Sequence, residues 1–412
     1  MTAVIGRGST PRSSLVANSA VLSATMLVVS AGNYGLNLVL ARLLPPAAFG
    51  DANLAINLVL AAAVVAATLQ LVASKAVAAD PESREAVRRG LLRVAYGAGA
   101  VVALGLGGGA VPLAAALQTS TPWMFVILGI GLPVYFAQAV HRGALQGDLR
   151  ITRLAVSYGV EALVRVVGAI ALVWAGFGVI GASVGIAASF VASGLVARAS
   201  STRRGATPGS VPWSSLRPAL MGATILLLGQ VVINNGDLVL SKAFFDPATA
   251  GIYASAALIG RAVFFFSWSV VHAVFPVAAR AAASVVDRRR AIAGAVGLVL
   301  LIGLSGLVVT IAAGDEVARL LFGADYGAAA GLLAPYVLAT SAFALANLLA
   351  SVDVAVGRRG GPIALLGGAV LQTVLLVVLG STPEAMVWAQ VAAMGATALA
   401  VTAAWWVGER SV

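Results

Sequence analysis

The chain has 412 residues, of which 60% are hydrophobic and only 10% are charged. Soluble domains carry about 25% charged residues, so this composition excludes a soluble fold and indicates a membrane protein. The lack of Cys and the presence of only two His exclude a disulfide framework, a thiolate site and a His-rich metal centre, and we expect no metal and no cofactor.

Twelve apolar runs are long enough to cross a bilayer, for which a helix needs about 20 residues. In chain order they cover 16–41, 52–78, 90–114, 122–144, 153–175, 178–198, 218–243, 249–276, 291–313, 331–356, 362–380 and 385–407. We predict an all-α polytopic membrane protein with about twelve transmembrane helices. The even number places both termini on one face of the membrane.

The net charge of +11 comes from Arg residues scattered between the apolar runs, so we predict no nucleic-acid partner. Cytoplasmic loops of membrane proteins retain an excess of Lys and Arg. Twenty of the 26 basic residues, Arg142 among them, fall in breaks or near helix ends on the same face as the termini. Arg42, Lys242 and Arg319 fall in breaks on the opposite face. We therefore predict that both termini are cytoplasmic.

The sequence of the hairpin between the first two predicted helices is repeated between the seventh and eighth. LVLARLLPPAAFG at 38–50 and LVLSKAFFDPATAG at 238–251 share a basic residue, a Pro-containing turn and a final Gly. The two halves run in the same sense through the bilayer, as in transporters whose substrate site lies between parallel repeats. We predict six-helix lobes at 1–198 and 218–412 around a central cavity, joined by a cytoplasmic linker at 199–217.

Polar side chains follow helical spacing within both hairpins, although each costs free energy in hydrocarbon. For any single one of them, hydrogen bonding between helices is the alternative to substrate binding. The predicted cavity residues are Arg261, Asp237, Asn234, Gln230, Asn33, Asn37, Asn57, Lys75 and His272.

Two pairs of intramembrane charges carry particular weight, because a charge at mid-bilayer costs about 2.5–3.5 kcal/mol or more. Asp237 and Arg261 fall at similar depth on adjacent helices, so they either pair structurally or act on an anionic substrate. Glu161 and Arg165 are spaced i, i+4 and can neutralise each other as a structural or ion-coupling pair.

Four stretches made of Gly, Pro and a few charges carry a family resemblance. They are LVLARLLPPAAFG in the first hairpin, HRGALQG after the fourth helix, GDLVLSKAFFDPATAGIYASAALIGR with the later FPVAAR, and RLLFGADYGAAAGLLAPYVLATSAFALANLL leading into the tenth helix. In order and spacing they resemble the polysaccharide flippases, of O-antigen and teichoic-acid type, in the multidrug, oligosaccharidyl-lipid and polysaccharide exporter superfamily.

The resemblance implies a transporter, not an enzyme, that flips a polyprenyl-diphosphate-linked oligosaccharide across the bacterial cytoplasmic membrane by alternating access. Arg261 matches the family's intramembrane arginine, and Asp237 matches its acidic residue in the seventh helix. Lys75 would receive the diphosphate first. The implied partners are the lipid-linked glycan, membrane lipid, a coupling H⁺ or Na⁺, and glycan-assembly enzymes.

Three alternatives remain open. A cation-coupled multidrug exporter of the same superfamily also has twelve helices, but it uses acidic residues, and the first half offers only Glu161, close to Arg165. A membrane glycan polymerase or transferase needs accessible carboxylates in one place. The outer turns supply Asp51, Asp246, Asp315, Glu316, Asp325 and Glu384, spread over five turns. If the protein is instead regulatory and carries no cargo, removing the polar side chains of the two hairpins should be harmless.

Overall fold

The computed structural model describes residues 12–79, 84–201, 213–279 and 285–410, and these are helical almost throughout. Twelve helices of 20 or more residues lie in this part of the chain. They are α1 Arg12–Leu43, α2 Pro46–Ala79, α3 Arg84–Gly108, α4 Trp123–Gly147, α5 Ile151–Leu172, α6 Gly178–Ser201, α7 Trp213–Phe244, α8 Pro247–Ala279, α9 Val285–Phe322, α10 Ala330–Ala355, α11 Gly360–Leu379 and α12 Pro383–Arg410. The predicted all-α, twelve-helix fold is confirmed.

Ten segments of the described chain are long and apolar enough to cross a membrane, and one of them, residues 151–200, contains both α5 and α6. The helix α7, whose side chains are described only from residue 225 onwards, is not among the ten. Three connections contain short helices of their own, namely Ala110–Ala116, the π helix Val173–Phe177 and the 3₁₀ helix Ala324–Ala329. The protein is therefore a multi-pass membrane protein.

Successive helices run in opposite directions, so the connections lie alternately on two faces. We call the face with the turns between α1 and α2 and between α7 and α8 the hairpin face. The opposite face, where the described chain begins and ends, is the termini face. Asp246 caps α8 at the hairpin face, since its Oδ1 accepts hydrogen bonds from the backbone N–H groups of Ala248 and Thr249, both 3.1 Å away.

The helix α2 joins the two halves of the chain, α1–α6 and α7–α12. It packs against α4 in the first half and against α7 and α8 in the second. A buried apolar cluster likewise contains Leu40 and Phe49 from the first half and Tyr253, Leu332 and Tyr336 from the second. Apolar packing therefore continues across the boundary between the halves.

The repeated hairpins pack directly on each other at their glycines. A Cβ added at Gly50 would lie 3.2 Å from the Cα of Gly251, and a Cβ at Gly251 would lie 1.8 Å from the carbonyl oxygen of Pro46. A side chain at Gly251 would overlap the opposite turn. The final Gly of the repeated motif thus permits close contact between the halves.

One expectation from the sequence needs correction. Arg142 was counted among the charges of the cytoplasmic face, but α4 continues to Gly147 and carries Arg142 as a buried residue. The linker was predicted at 199–217, and the flanking helices extend into this range, since α6 ends at Ser201 and α7 begins at Trp213. Its central residues, 202–212, lie outside the described part of the chain.

Candidate functional site

The helices of the two repeated hairpins are buried on nearly all sides near the hairpin face, and each has exposed residues on one side nearer the termini face. In α2, residues 51–55 are buried, whereas residues 60–61 are exposed. In α8, residues 253–261 are buried, whereas Phe265 is exposed. The two halves therefore pack together along the hairpin-face part of these helices, and the predicted polar stripes lie where that packing ends.

Arg261 and Asp237 form a charged pair in the second half. Arg261 Nη2 and Asp237 Oδ1 lie 3.6 Å apart, and both side chains are buried. Arg261 Nη2 also donates to the backbone carbonyl of Asn234, whereas the buried Nε of Arg261 has no hydrogen-bond partner. The pair thus exists, but as one long contact rather than the two parallel hydrogen bonds of a bidentate bridge.

Neutral side chains from three helices hold the other oxygen of Asp237. Its Oδ2 accepts hydrogen bonds from the Tyr253 hydroxyl over 3.2 Å, from Gln390 Nε2 over 2.8 Å and from the Tyr336 hydroxyl. Its Oδ1 accepts no hydrogen bond from the described residues and lies 3.6 Å from Arg261 Nη2. The carboxylate therefore has one occupied oxygen and one with free acceptor capacity.

Four asparagines form a chain of hydrogen bonds through the first hairpin. Asn37 donates to the backbone carbonyl of Asn33 over 2.9 Å, and Asn53 donates to the Asn37 side chain over 3.1 Å. Asn57 donates to the Asn53 side chain over 2.7 Å, and its own Oδ1 accepts from Arg261 Nη1 over 2.8 Å. The last contact joins the two halves of the protein.

A second charged cluster surrounds Glu161 in the first half. One Glu161 oxygen lies 2.7 Å from Arg142 Nη1 and accepts from Gln138 over 2.6 Å, while the other contacts Arg165 Nη2. The other two nitrogens of Arg142 donate to Ser157. Nε donates to the hydroxyl over 2.9 Å, and Nη2 donates to the backbone carbonyl over 2.8 Å. Every nitrogen of the Arg142 guanidinium therefore has a partner.

Arg165 links this cluster to the asparagine chain. Its Nη1 donates to Asn33 Oδ1 over 3.3 Å, and its buried Nε has no hydrogen-bond partner. Glu161 and Arg165 contact each other, as their spacing predicted, but Arg142 is a third member of the cluster. Two guanidinium groups thus share one carboxylate, which leaves one surplus positive charge.

A buried ion pair joins the halves at the hairpin face. Lys242 Nζ of α7 lies 2.7 Å from Asp51 Oδ1 of α2, and the side chains are 3% and 2% exposed. Asp51 Oδ2 also accepts from the backbone N–H and the hydroxyl of Ser120, over 2.8 and 2.7 Å. We call Asp51, Lys242 and Ser120 the hairpin-face latch. Asp51 was expected in a short accessible turn, but it lies inside α2 and is buried by its pairing with Lys242.

Two further side chains, Arg42 and Tyr326, reinforce this face through hydrogen bonds. The Arg42 guanidinium donates to backbone carbonyls at the end of α9, including that of Leu321 over 3.0 Å. The Tyr326 hydroxyl donates to the carbonyl of Leu44 over 3.1 Å. A helix end leaves its last carbonyls without intrahelical partners, so Arg42 of one half satisfies acceptors of the other.

The remaining predicted residues lie apart from these contacts. Gln230 is buried within the second half, where its Nε2 donates to Asn347 Oδ1 over 2.5 Å. Lys75 is half-buried in α2, nearer the termini face, and makes no ion pair with the side chains that the structure describes. His272 belongs to α8, but its side chain lies outside the described ones. Asn234 contributes its backbone carbonyl, whereas its side chain donates to the carbonyl of Gln230 over 2.9 Å.

Several residues of the site were missed as site residues from sequence. Tyr336 and Gln390 lie on α10 and α12, far along the chain from Asp237, and neither has a distinctive local pattern. Arg142 was detectable in principle, because Gln138 four residues earlier places two polar groups on one face of α4. Lys242 and Asp51 read as turn residues because each lies close to a Pro.

A small cavity adjoins Arg261. It has a volume of about 10 Å³ and is lined by Arg261, Asn234, Thr340 and Gln390 together with apolar and aromatic side chains. That volume is enough for about one water molecule. The cavity therefore presents the guanidinium to a small, partly polar space.

The fold defines a polytopic membrane protein with buried clusters of charged side chains between its helices. The profile of the family described as "Polysaccharide biosynthesis protein" matches residues 15–282. The chain belongs to this family. No curated protein sequence matches the chain significantly.

Solved structures of transporters share the fold at low sequence identity. "Lipid II flippase MurJ, inward closed conformation" has a TM-score of 0.74 and 12% identity, over 92% of this chain and 86% of that one. An outward-facing multidrug resistance MATE family transporter of the MOP superfamily has a TM-score of 0.69 and 15% identity, over 96% and 95%. A MOP superfamily transporter from Pyrococcus furiosus has a TM-score of 0.61 and 14% identity, over 96% and 95%.

Proposed function

We propose that the protein is a flippase that moves a polyprenyl-diphosphate-linked oligosaccharide across the bacterial cytoplasmic membrane by alternating access. The family supports a saccharide cargo, and the fold supports transport rather than catalysis. The observation that carries the proposal is Arg261, a buried guanidinium that has a neutral amide on Nη1 and no partner on Nε. An anion can replace the amide at Nη1 and supply the missing acceptor at Nε. Its hydrogen bonds would be charge-assisted, and such bonds are about twice as strong as neutral ones.

The termini face is cytoplasmic in this proposal, as the distribution of Arg predicts. The halves are six-helix lobes, and their packing at the hairpin face corresponds to a state closed towards the outside. Cargo enters from the cytoplasmic side, where Lys75 meets the diphosphate first. Arg261 then binds it at the end of the space between the lobes, and the lobes close behind it.

Asp237 is our candidate for the coupling residue. Its Oδ1 accepts no hydrogen bond and lies 3.6 Å from Arg261 Nη2. A proton or Na⁺ on this oxygen would weaken the hold of Asp237 on Arg261 and favour binding of an anionic cargo. The cargo is of O-antigen or teichoic-acid type, and glycan-assembly enzymes supply it.

An exporter of organic cations is the second candidate, because MATE transporters share the fold. The charges argue against it. The cluster of Arg142, Glu161 and Arg165 carries a surplus positive charge, and a cationic substrate would be repelled from it.

The test is leaflet turnover of a fluorescent polyprenyl-diphosphate oligosaccharide in proteoliposomes. Arg261→Ala should slow turnover about tenfold to a hundredfold, because an ionic hydrogen bond contributes about 1.5–3 kcal/mol. Arg261→Lys should restore part of the rate, since it keeps the charge. Arg319→Ala, which removes an exposed arginine at the hairpin face, is the matched control.

The proposal is wrong if the wild-type protein leaves this lipid in place but exchanges an organic cation against an ion gradient. That result would favour the multidrug-exporter alternative. Turnover that is equal in the wild type and in Arg261→Ala would remove Arg261 from the cargo site.

A further inference from the structure

The surplus charge in the first half has no partner within its own cluster. Arg142 has all its nitrogens occupied and pairs with Glu161 over 2.7 Å. Arg165 shares the same carboxylate, which cannot neutralise both guanidinium groups. The other two buried clusters described above, Asp237 with Arg261 and Asp51 with Lys242, each balance one positive charge with one negative charge.

Arg165 and Arg261 are bound in the same way by the α1–α2 hairpin. The Nη1 of Arg165 donates to Asn33 Oδ1 over 3.3 Å, and the Nη1 of Arg261 donates to Asn57 Oδ1 over 2.8 Å. Each guanidinium also has a buried Nε without a hydrogen-bond partner. In both arginines Nη1 thus contacts a neutral amide and Nε contacts no acceptor, so only Nη2 contacts a carboxylate.

The two arginines also face a continuous polar path. Asn33 and Asn57 are the ends of the asparagine chain, so side-chain and backbone amides lead from one guanidinium to the other. The Arg165 side chain is 14% exposed. A guanidinium facing hydrocarbon is costly, so this exposed part is expected to lie towards the space between the halves rather than towards lipid.

We propose that Arg165 is a second anion-binding residue for the cargo. This inference rests on the proposed function. Arg261 binds one phosphate of the diphosphate, and Arg165 binds the other phosphate or an acidic sugar beside it. Asn33 and Asn57 occupy the two Nη1 nitrogens until cargo arrives, and the anion displaces them because its hydrogen bonds to a guanidinium are stronger than those of an amide.

The experiment compares two probes on the purified full-length protein, a fluorescent polyprenyl diphosphate and the matching polyprenyl monophosphate. Arg165→Gln should weaken binding of the diphosphate about tenfold or more, which corresponds to the loss of one ionic hydrogen bond. Binding of the monophosphate, which Arg261 alone can hold, should change less than about threefold. Arg165→Lys should recover much of the difference. Arg153→Gln, an exposed change on the same helix, is the matched control.

A second variant keeps the inference open to refutation if Arg165→Gln fails to fold. Glu161→Gln retains Arg165 and raises the cluster charge from +1 to +2, so it should tighten binding of the diphosphate more than that of the monophosphate. Equal loss for both probes in folded Arg165→Gln, or weaker diphosphate binding in folded Glu161→Gln, would assign Arg165 a structural role and overturn the inference.

The two proposals fail in different ways. If the wild type binds and flips the diphosphate lipid but Arg165→Gln leaves both affinities unchanged, only the role of Arg165 is wrong. If the wild type neither binds nor moves either probe, the proposed function itself is wrong.

Discussion

At the scale of single residues, the contact between Asn57 and Arg261 is a mid-helix hydrogen bond that joins the two halves. Its partner atom is neutral, which leaves the guanidinium available to an anion. Asn57→Asp would place a carboxylate of almost the same shape against Arg261 Nη1. We expect this internal ion pair to compete with cargo and to reduce turnover of the diphosphate lipid about tenfold or more.

Asn57→Ala is the companion variant, because it removes the amide without adding charge. It should retain turnover better than Asn57→Asp, since cargo then meets no competitor on Arg261. The comparison is made by initial rates in proteoliposomes. Equal rates for the Ala and Asp variants would mean that the partner of Nη1 has no effect on cargo binding.

At the scale of elements, the repeated hairpins depend on the absence of a side chain at Gly251. A Cβ there would lie 1.8 Å from the backbone oxygen of Pro46, whereas a Cβ at Gly50 would be 3.2 Å from its nearest atom. Gly251→Ala should therefore separate the two turns, and Gly50→Ala should need only a small shift. Overpacking of this kind costs about 1–3 kcal/mol.

Thermal unfolding in detergent measures this difference, and the melting temperature should fall more for Gly251→Ala than for Gly50→Ala.

Separation of the turns can also be followed by thiol labelling, because the natural chain has no Cys. A cysteine introduced by Ala52→Cys, at a fully buried position in α2, reports this separation through its labelling rate. Labelling should be faster in the Gly251→Ala background. Equal labelling in both glycine variants would show that the turns adapt without separating.

At the scale of the whole molecule, the hairpin-face latch sets how firmly the two halves stay together. Removing one partner of a buried ion pair costs about 3–5 kcal/mol, because the other charge remains buried and unpaired. Asp51→Asn or Lys242→Met should therefore shift the protein towards states open at the hairpin face. The double variant, which leaves neither charge, should lie closer to the wild type.

Spin labels at Ala115 and Ala328, both exposed at the hairpin face on opposite halves, measure the separation. The distance distribution should broaden or lengthen in each single variant and recover in the double variant. Additive effects of the two substitutions would contradict a direct coupling between Asp51 and Lys242.

The sequence predicted the twelve helices because crossing a bilayer is a local requirement, set by the length and apolar character of each run. It also marked Asn33, Asn37, Asn57, Asp237 and Arg261, since polar groups inside apolar runs are costly and need partners. These five residues do lie in one connected set of contacts. Whether they bind cargo stays a prediction.

Only the tertiary structure decided which partners these residues have. Arg142 read as a charge of the cytoplasmic face and Asp51 as a turn carboxylate, because local sequence does not reveal that another helix covers them. Arg142 is instead held by Glu161, and Asp51 by Lys242, 191 positions along the chain. The composition of a segment determines whether it can enter the membrane. The partners of a buried charge depend on distances between helices that are remote in sequence, and these distances are set by the packing of the whole bundle.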